Sequence, residues 1–390
     1  DTVLKLTSAR VATFFIVGRS EGCTGLLLPG LDNVVKTTYL QQCPRLTTLS
    51  LPSTATMLVD RVGWPRWVLR IVDCHLLMKQ AVARMPETTM TTSQRLLGAV
   101  EAGGTKFRAA VVDADLAIVD QMRVPTTTPA ATLQAITDFF AANDTISALG
   151  IASFGPLIVD PESSAYGSIA PTPKPGWAGT PLLDHLRDAI RVPVAIQTDV
   201  EAAAVAEHRL GAGRGYGSMA YITVGTGIGA GVLVDGIPFR GRDHIELGHM
   251  PVRRVDGDDF AGVCPFHGDC LEGMASGPAI QARWGETPSS LGGRDDVWNL
   301  EADYLAQLAR VLTYSFSPDK ILFSGGVGAR KHLAPRIAAA TSRHLGGYSV
   351  SHAANAELIA TAALGNDAGL MGAALIAESL LPSDSPNAQR

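Results

Sequence analysis

Cysteine is scarce. Five in 390 residues are too few for a disulfide-stapled scaffold. No apolar run approaches the roughly 18 residues that a membrane span needs; the longest, residues 11–18, is closed by Arg19 and Glu21. There is no excess of positive charge either: the net charge is −5, so the chain as a whole offers no basic footprint for nucleic acid. Together these absences argue against an extracellular module, a membrane protein and a polyanion binder. What is present, 46% hydrophobic and 18% charged residues, is a globular balance long enough for two ordinary domains.

Charge is distributed unevenly. Residues 1–84 hold ten Lys/Arg, five Asp/Glu and three of the cysteines, whereas the remainder holds 22 basic and 32 acidic residues. The first part shows neither a 3.6-residue nor a two-residue period of useful length. It also lacks the charged, apolar and small-residue succession of a secretory signal and any helix-turn-helix spacing. Residues 1–90 therefore read as an extension outside the folded protein. One source of such an extension is a start site placed too early, with Met85 or Met90 as the true start; a genuine, poorly ordered extension is the alternative.

From residue 96 strands and helices alternate, which predicts an α/β architecture. Apolar runs at 97–100 and 107–112 flank Glu101-Ala-Gly-Gly-Thr-Lys106, and runs at 219–224 and 230–234 flank Gly225-Thr-Gly-Ile-Gly229. Two strand–glycine loop–strand hairpins about 125 residues apart suggest two similar lobes facing a cleft. A further strand at 320–323 runs into Ser324-Gly325-Gly326, and a last helix starts near Gly369. Glycine lets a backbone approach a ligand and point its N–H groups at one place, which suits phosphate oxygens. The candidate phosphate-binding residues are Gly103, Gly104, Thr105, Lys106, Gly225, Thr226, Gly227, Gly229, Gly325 and Gly326. None of the clusters is a P-loop, and none opens a helix as a dinucleotide-binding loop does. The cation of Lys106 and the hydroxyls of Thr105 and Thr226 suit a nucleoside triphosphate with its metal ion. Asp199, between a strand at 194–197 and a helix at 201–210, can point a carboxylate into a cleft or cap the helix.

Four motifs in unbroken order, Glu101-Ala-Gly-Gly-Thr-Lys106, Thr198-Asp199, Gly225-Thr-Gly-Ile-Gly229 and Glu246-Leu-Gly-His249, resemble the ROK family of sugar kinases and sugar-responsive repressors. The tracts Ser153-Phe-Gly-Pro156, Tyr166-Gly167 and Thr172-Pro-Lys-Pro-Gly-Trp177 resemble its fructokinase branch. The similarity runs over about residues 96–376. It implies a two-lobed, actin-like or ribonuclease-H-like ATPase fold. One lobe would comprise residues 91–200 plus the C-terminal helix at about 369–382, and the other residues 201–368. It implies Asp199 as general base, Glu246, His249, Glu272 and Thr198 beside the sugar, and Glu101 in a magnesium shell. Gly325 and Gly326 would lie against adenosine. A cytoplasmic homodimer phosphorylating fructose at O6 with ATP and Mg2+ follows from the same resemblance. Mannose or glucose is the alternative acceptor, and a sugar-sensing repressor the alternative class. Three positions depart from the commoner family pattern: Thr198 and Glu201 stand where many members have Asn, and Glu101 where many have Asp. A second carboxylate at Glu201 either raises the pKa of Asp199 by like-charge repulsion or faces away.

Cys264-Pro-Phe-His267-Gly-Asp-Cys270 spaces three soft ligands by three, and His249 completes a Cys2His2 set sufficient for a closed tetrahedral zinc site. A disulfide between Cys264 and Cys270 is the alternative. The family's zinc-bearing members match all four positions. The loop 249–270 would then hold Glu246 and Glu272, which flank it in sequence.

Overall fold

The computed structural model describes residues 56–59, 65–68, 95–143, 145–172, 174–348 and 357–382. The chain divides into two compact units, Asp1–Thr89 and Met90–Arg390. In the first, β1 (Thr56–Val59) and β2 (Pro65–Val68) pair as an antiparallel hairpin. Strands of four residues are shorter than the windows in which a period can be read, so no pattern announces them. The rest of the expectation for residues 1–90 lies outside the described residues.

The second unit contains two five-stranded sheets. The first is built from β3 (Leu96–Ala102), β4 (Lys106–Val112), β5 (Ile118–Pro125), β6 (Ile146–Ser153) and β7 (Val194–Thr198), in the order β5-β4-β3-β6-β7. The second is built from β8 (Met219–Val224), β9 (Ile228–Val234), β10 (Ile237–Pro238), β11 (Lys320–Ser324) and β12 (Ile359–Thr361), in the order β10-β9-β8-β11-β12. Each sheet therefore places its own strands 3-2-1-4-5. In each, the first strand pairs antiparallel with the second and parallel with the fourth. This duplication bears out the expected α/β, two-lobed architecture. It also puts the first two glycine clusters at corresponding positions, after β3 and β8, with the third beside the second at the end of β11.

Alternation along β3 and β4 splits the first sheet into two apolar faces. Val100, Phe107, Ala109 and Val111 pack against α1 (Pro129–Ala142) and α2 (Leu182–Ile190) through Leu133, Ile136, Phe140 and Leu186. On the other face Leu97, Ala99, Ala110 and Val112 meet Leu370, Ala373, Ala374 and Ala377 of α9 (Ala368–Ser379). The second sheet buries Ile222, Val224 and Phe323 against α4 (Leu271–Ala275), α5 (Gly277–Trp284), α6 (Asp295–Phe316) and α8 (Leu333–Leu345).

One helix serves both lobes. In α3 (Asp199–Leu210) nearly every residue from Val200 to Glu207 is buried. A Cβ on Gly372 of α9 would fall 2.1 Å from the Ala202 carbonyl oxygen, and one on Gly231 of β9 would fall 2.5 Å from that of Val200. Helix and neighbours approach so closely that only small side chains fit, which is why α3 reads Ala-Ala-Ala instead of showing an apolar stripe. Its buried Glu207 is occupied structurally, accepting the backbone N–H groups of Ala212, Ala363 and Leu364 at 2.8, 3.1 and 2.7 Å. Among the described residues no helix is long and apolar enough to cross a membrane.

Candidate active site

The first glycine loop joins β3 to β4 and is fastened from behind. Gly103 N–H donates to the Lys106 carbonyl (3.0 Å), Thr126 Oγ1–H to the Gly103 carbonyl (2.7 Å), and the Lys174 ammonium to the Gly104 carbonyl. Gly104 and Thr105 are left exposed at the tip. Lys106 lines a cavity of about 420 Å3 with Arg108, Gln121, Met122, Arg123, Asn366 and Asp367. Arg108 is held by Glu101 (3.3 Å), Asp367 (2.7 Å) and the Asn366 carbonyl (2.7 Å).

The second and third glycine clusters form one surface. Gly225 N–H closes a tight turn on the Gly227 carbonyl (2.9 Å), and a Cβ on Gly225 would lie 4.0 Å from the Gly326 nitrogen. Glu272 supports this loop from below, its Oε2 accepting the Ile228 N–H at 2.8 Å. Gly325 opens α7 (Gly325–Gly328) with φ at +82°, and a Cβ there would sit 2.4 Å from the Val224 carbonyl oxygen. Gly325→Ala should therefore lower stability by about 2 kcal/mol or more, since strained backbone and a steric clash act together. It should also raise the ATP constant; thermal unfolding and an ATP titration check both. An unchanged melting temperature would contradict the geometry.

Asp199 follows β7 directly, in the sheet that carries the first glycine loop. The sequence offered it as a possible helix cap, but Thr198 holds that position: Thr198 Oγ1 accepts the Glu201 N–H at 3.3 Å, and Asp199 is the first helical residue. Thr198, expected beside the sugar, is buried with its hydroxyl so engaged. Relieved of capping, Asp199 Oδ1 accepts only the adjacent Val200 N–H among the hydrogen bonds of the described residues (2.9 Å). Loss of water around the Asp199 carboxyl pushes its pKa up to about 7; the Val200 N–H opposes the shift, Glu101 adds to it by repulsion, and His244 offsets part of it. The repelling carboxylate is thus Glu101, two strands away in the same sheet; of the two readings left open for Glu201, repelling Asp199 or facing away, its side chain follows the second, toward Arg240. Burial also raises the Glu101 carboxyl, against the pull of Arg108 and Lys106.

Glu201 is only 4% exposed, and neither carboxylate oxygen makes a hydrogen bond among the described residues. It faces Arg240, whose Nε lies 3.7 Å from Oε2, and His244. Glu246 and His244 share the loop that follows β10, with His244 Nε2 2.7 Å from Glu246 Oε1. Sequence reasoning passed over His244, Arg240 and Arg108. The His-x-Glu spacing at 244–246 was the one available signal.

The four residues expected to ligate a metal are brought together. The ligand atoms of His249, Cys264, His267 and Cys270 all lie within 4.8 Å of one another. Cys264 Sγ is 3.7 Å from His249 Nδ1 and 3.8 Å from His267 Nδ1, and Cys270 Sγ is 3.7 Å from His249 Nδ1. Zinc bonds of about 2.0–2.3 Å imply tetrahedral edges of about 3.3–3.8 Å, so the donor set fits that ion. Cys264 and Cys270 are not joined as a disulfide.

With that geometry established, the chain matches the ROK family over residues 97–379. It belongs to the ROK family. The ROK match starts inside β3 and ends on the last residue of α9, so it spans both sheets. The chain is 42% identical over 286 residues to a fructokinase of Pediococcus pentosaceus, covering 73% of this chain and 99% of that protein. It is 40% identical over 296 residues to a fructokinase of Zymomonas mobilis subsp. mobilis, covering 74% and 98%. The crystal structure of a ROK family glucokinase from Streptomyces griseus in complex with glucose and AMPPNP aligns at a TM-score of 0.59 and 27% identity, covering 73% of this ROK chain and 99% of that one.

Proposed function

We propose that this ROK protein is an ATP-dependent fructokinase. The reading is carried by its identity of about 40% to fructokinases along 98–99% of their lengths, together with a buried carboxylate at the end of β7 in the sheet that carries the first glycine loop. Phosphoryl transfer asks the protein for positioning and charge stabilisation, which is what those parts offer. The loops at 103–106 and 225–229 would cradle the phosphates, with Lys106 as the fixed cation and Gly325–Gly326 against the adenosine. Glu101 and Asp199 are carboxylates in a water-poor site that repel each other, a donor set whose cost a divalent cation relieves. Mg2+ arriving with ATP would neutralise phosphate charge there.

Glu246 and Glu272 would accept hydrogen bonds from the sugar, Glu272 through the oxygen that Ile228 leaves free. Asp199 takes the proton of the attacking hydroxyl as the new O–P bond forms at the γ-phosphorus and the bond to ADP breaks. A Zn2+ ion held by His249, Cys264, His267 and Cys270 would have four protein ligands and no open position, so its part is structural. The lobe boundaries at 91–200 with 369–382 and at 201–368, the cytoplasmic location and the homodimer belong to the same reading. A coupled ADP-release assay with ATP and Mg2+, comparing fructose, mannose, glucose and N-acetylmannosamine, tests it. Turnover should be highest on fructose. Preference for another hexose would overturn the specificity, and no turnover on any sugar the reaction itself.

A further inference from the structure

The loop after β10 carries a histidine that this mechanism does not use. His244 Nε2 lies 2.7 Å from Glu246 Oε1, the length of a charge-assisted hydrogen bond. The histidine side chain is 11% exposed and that of Glu246 47%. The pair is thus anchored at its imidazole end and open at its carboxylate end. The imidazole also meets the opposite lobe: a Cβ on Gly155, in the tract after β6, would lie 3.4 Å from Nε2 and 4.0 Å from Cε1. Gly155 belongs to the first lobe and Glu246 to the second, so His244 spans the cleft.

Three carboxylates surround the ring: Glu246 on its own loop, and Glu201 and Asp199 on α3. Arg240, on the same loop, faces Glu201, and the Leu157 carbonyl faces the ring from the first lobe. Glu246, foremost by its hydrogen bond, raises the His244 pKa in spite of burial. A carboxylate on an exposed loop samples several rotamers, and ordering it costs binding free energy each time a ligand arrives. Fixing one oxygen beforehand on a buried N–H leaves the other aimed for a ligand.

We propose that His244 is a positioning residue, a bridge from the Gly155 turn to Glu246 that sets this carboxylate to receive the hydroxyls of the acceptor sugar. The inference rests on the sugar-kinase reading and extends it to a side chain that touches no reacting atom. It is tested on the full chain with His244→Ala, His244→Gln and His244→Asn. A glutamine amide nitrogen can reach the place of Nε2, whereas an asparagine amide reaches only that of Nδ1. His244→Ala should raise the fructose KM roughly tenfold or more, the effect of losing a hydrogen bond to a charged group. The ATP KM should stay within about twofold, and kcat should fall less than the fructose KM rises. His244→Gln should recover most of the loss and His244→Asn little of it. Adding Glu246→Gln to His244→Ala should cost far less than Glu246→Gln alone, because the two residues act as a unit.

A fructose KM within about twofold of wild type in His244→Ala, a parallel rise of both constants, or glutamine no better than asparagine would overturn the proposal. The Gln–Asn comparison decides the matter even where the alanine variant does not fold. An active wild type with indifferent variants defeats this inference alone. A wild type inactive on every sugar defeats the parent reading and this one with it. Activity on another hexose transfers the same test to that sugar.

Discussion

Asp199→Asn should lower kcat about 10³-fold, the middle of the range for loss of a general base, while ATP and fructose constants move only a few-fold. Asparagine keeps the shape and can accept the Val200 N–H as the carboxylate does, so only the proton acceptor is lost. The wild-type enzyme adds a second signature. With its pKa pushed up to about 7 by loss of water, Asp199 is half-protonated near neutrality in the free enzyme. Its kcat/KM should therefore fall tenfold per pH unit well below 7, and that limb should be missing from the residual activity of the variant. A wild-type profile flat down to pH 5.5, or a variant retaining a tenth of the rate, would remove Asp199 from this role.

The same carboxyl makes a stability prediction of definite sign. Its folded pKa lies above its unfolded value of 3.8, so ionisation favours the unfolded chain. Wild type loses this stability as pH rises from 3.8 through 7, and above 7 the full loss remains. Asp199→Asn should accordingly melt higher than wild type at pH 8 in the absence of Mg2+, with the gap closing as pH falls toward 4. Activity here is set against stability, since an ordinary hydrated carboxylate would be the weaker base at neutral pH.

The parts of the site legible in sequence were those whose residue types are dictated by a ligand. Glycine pairs at strand ends, a lysine beside one of them and two cysteines spaced around a histidine all survive as local strings. What escaped was assembled from distant segments. His244 meets Gly155, Glu201 and Asp199 only after both lobes have folded, so nothing near residue 244 marks the encounter. Which carboxylate repels Asp199 was hidden for the same reason: Glu201 is two residues from Asp199, but the helix turns it toward Arg240, while Glu101, 98 positions away, is brought two strands from Asp199 in the same sheet. Among fold elements, α6 went unassigned although Val297, Leu305, Leu308 and Leu312 are buried along it. Glu301 and Gln307, buried on the same helix, interrupt the apolar stripe that would have announced it. The exposed edge strand β5 has the converse problem, with too little apolar surface to stand out.

Stripping the zinc proposed for the Cys2His2 cluster should raise the fructose constant about 10- to 100-fold, the scale on which disturbing the support of a site acts, and should move the ATP constant less. Between His249 and Cys270 the chain has little regular structure. It is tied by isolated bridges between Pro251 and Cys270 and between Cys264 and Gly268, and by a Leu271 N–H bond to the Met250 carbonyl (3.0 Å). Four ligands closing on one ion are the strongest available constraint on such a loop, and for thiolates the binding free energy is also folding free energy. Its two ends lead directly to function. His249 ends the short 3-10 turn that begins after Glu246, and Cys270 precedes α4, where Glu272 holds the Ile228 N–H beneath the second glycine loop. Loss of the ion thus leaves Glu246 held only through His244 and loosens the second loop through Glu272. The first loop and Gly325–Gly326 keep their own supports, which is why ATP should suffer less. The buried faces of both sheets hold the rest of the fold, so metal-free protein should remain folded by far-ultraviolet circular dichroism. Elemental analysis should give one zinc per chain, absent in Cys264→Ser, and re-addition of zinc to stripped wild type should restore the fructose constant. Protein free of zinc as isolated, or stripped protein with unchanged fructose affinity, would leave the Cys2His2 cluster without a part in sugar binding.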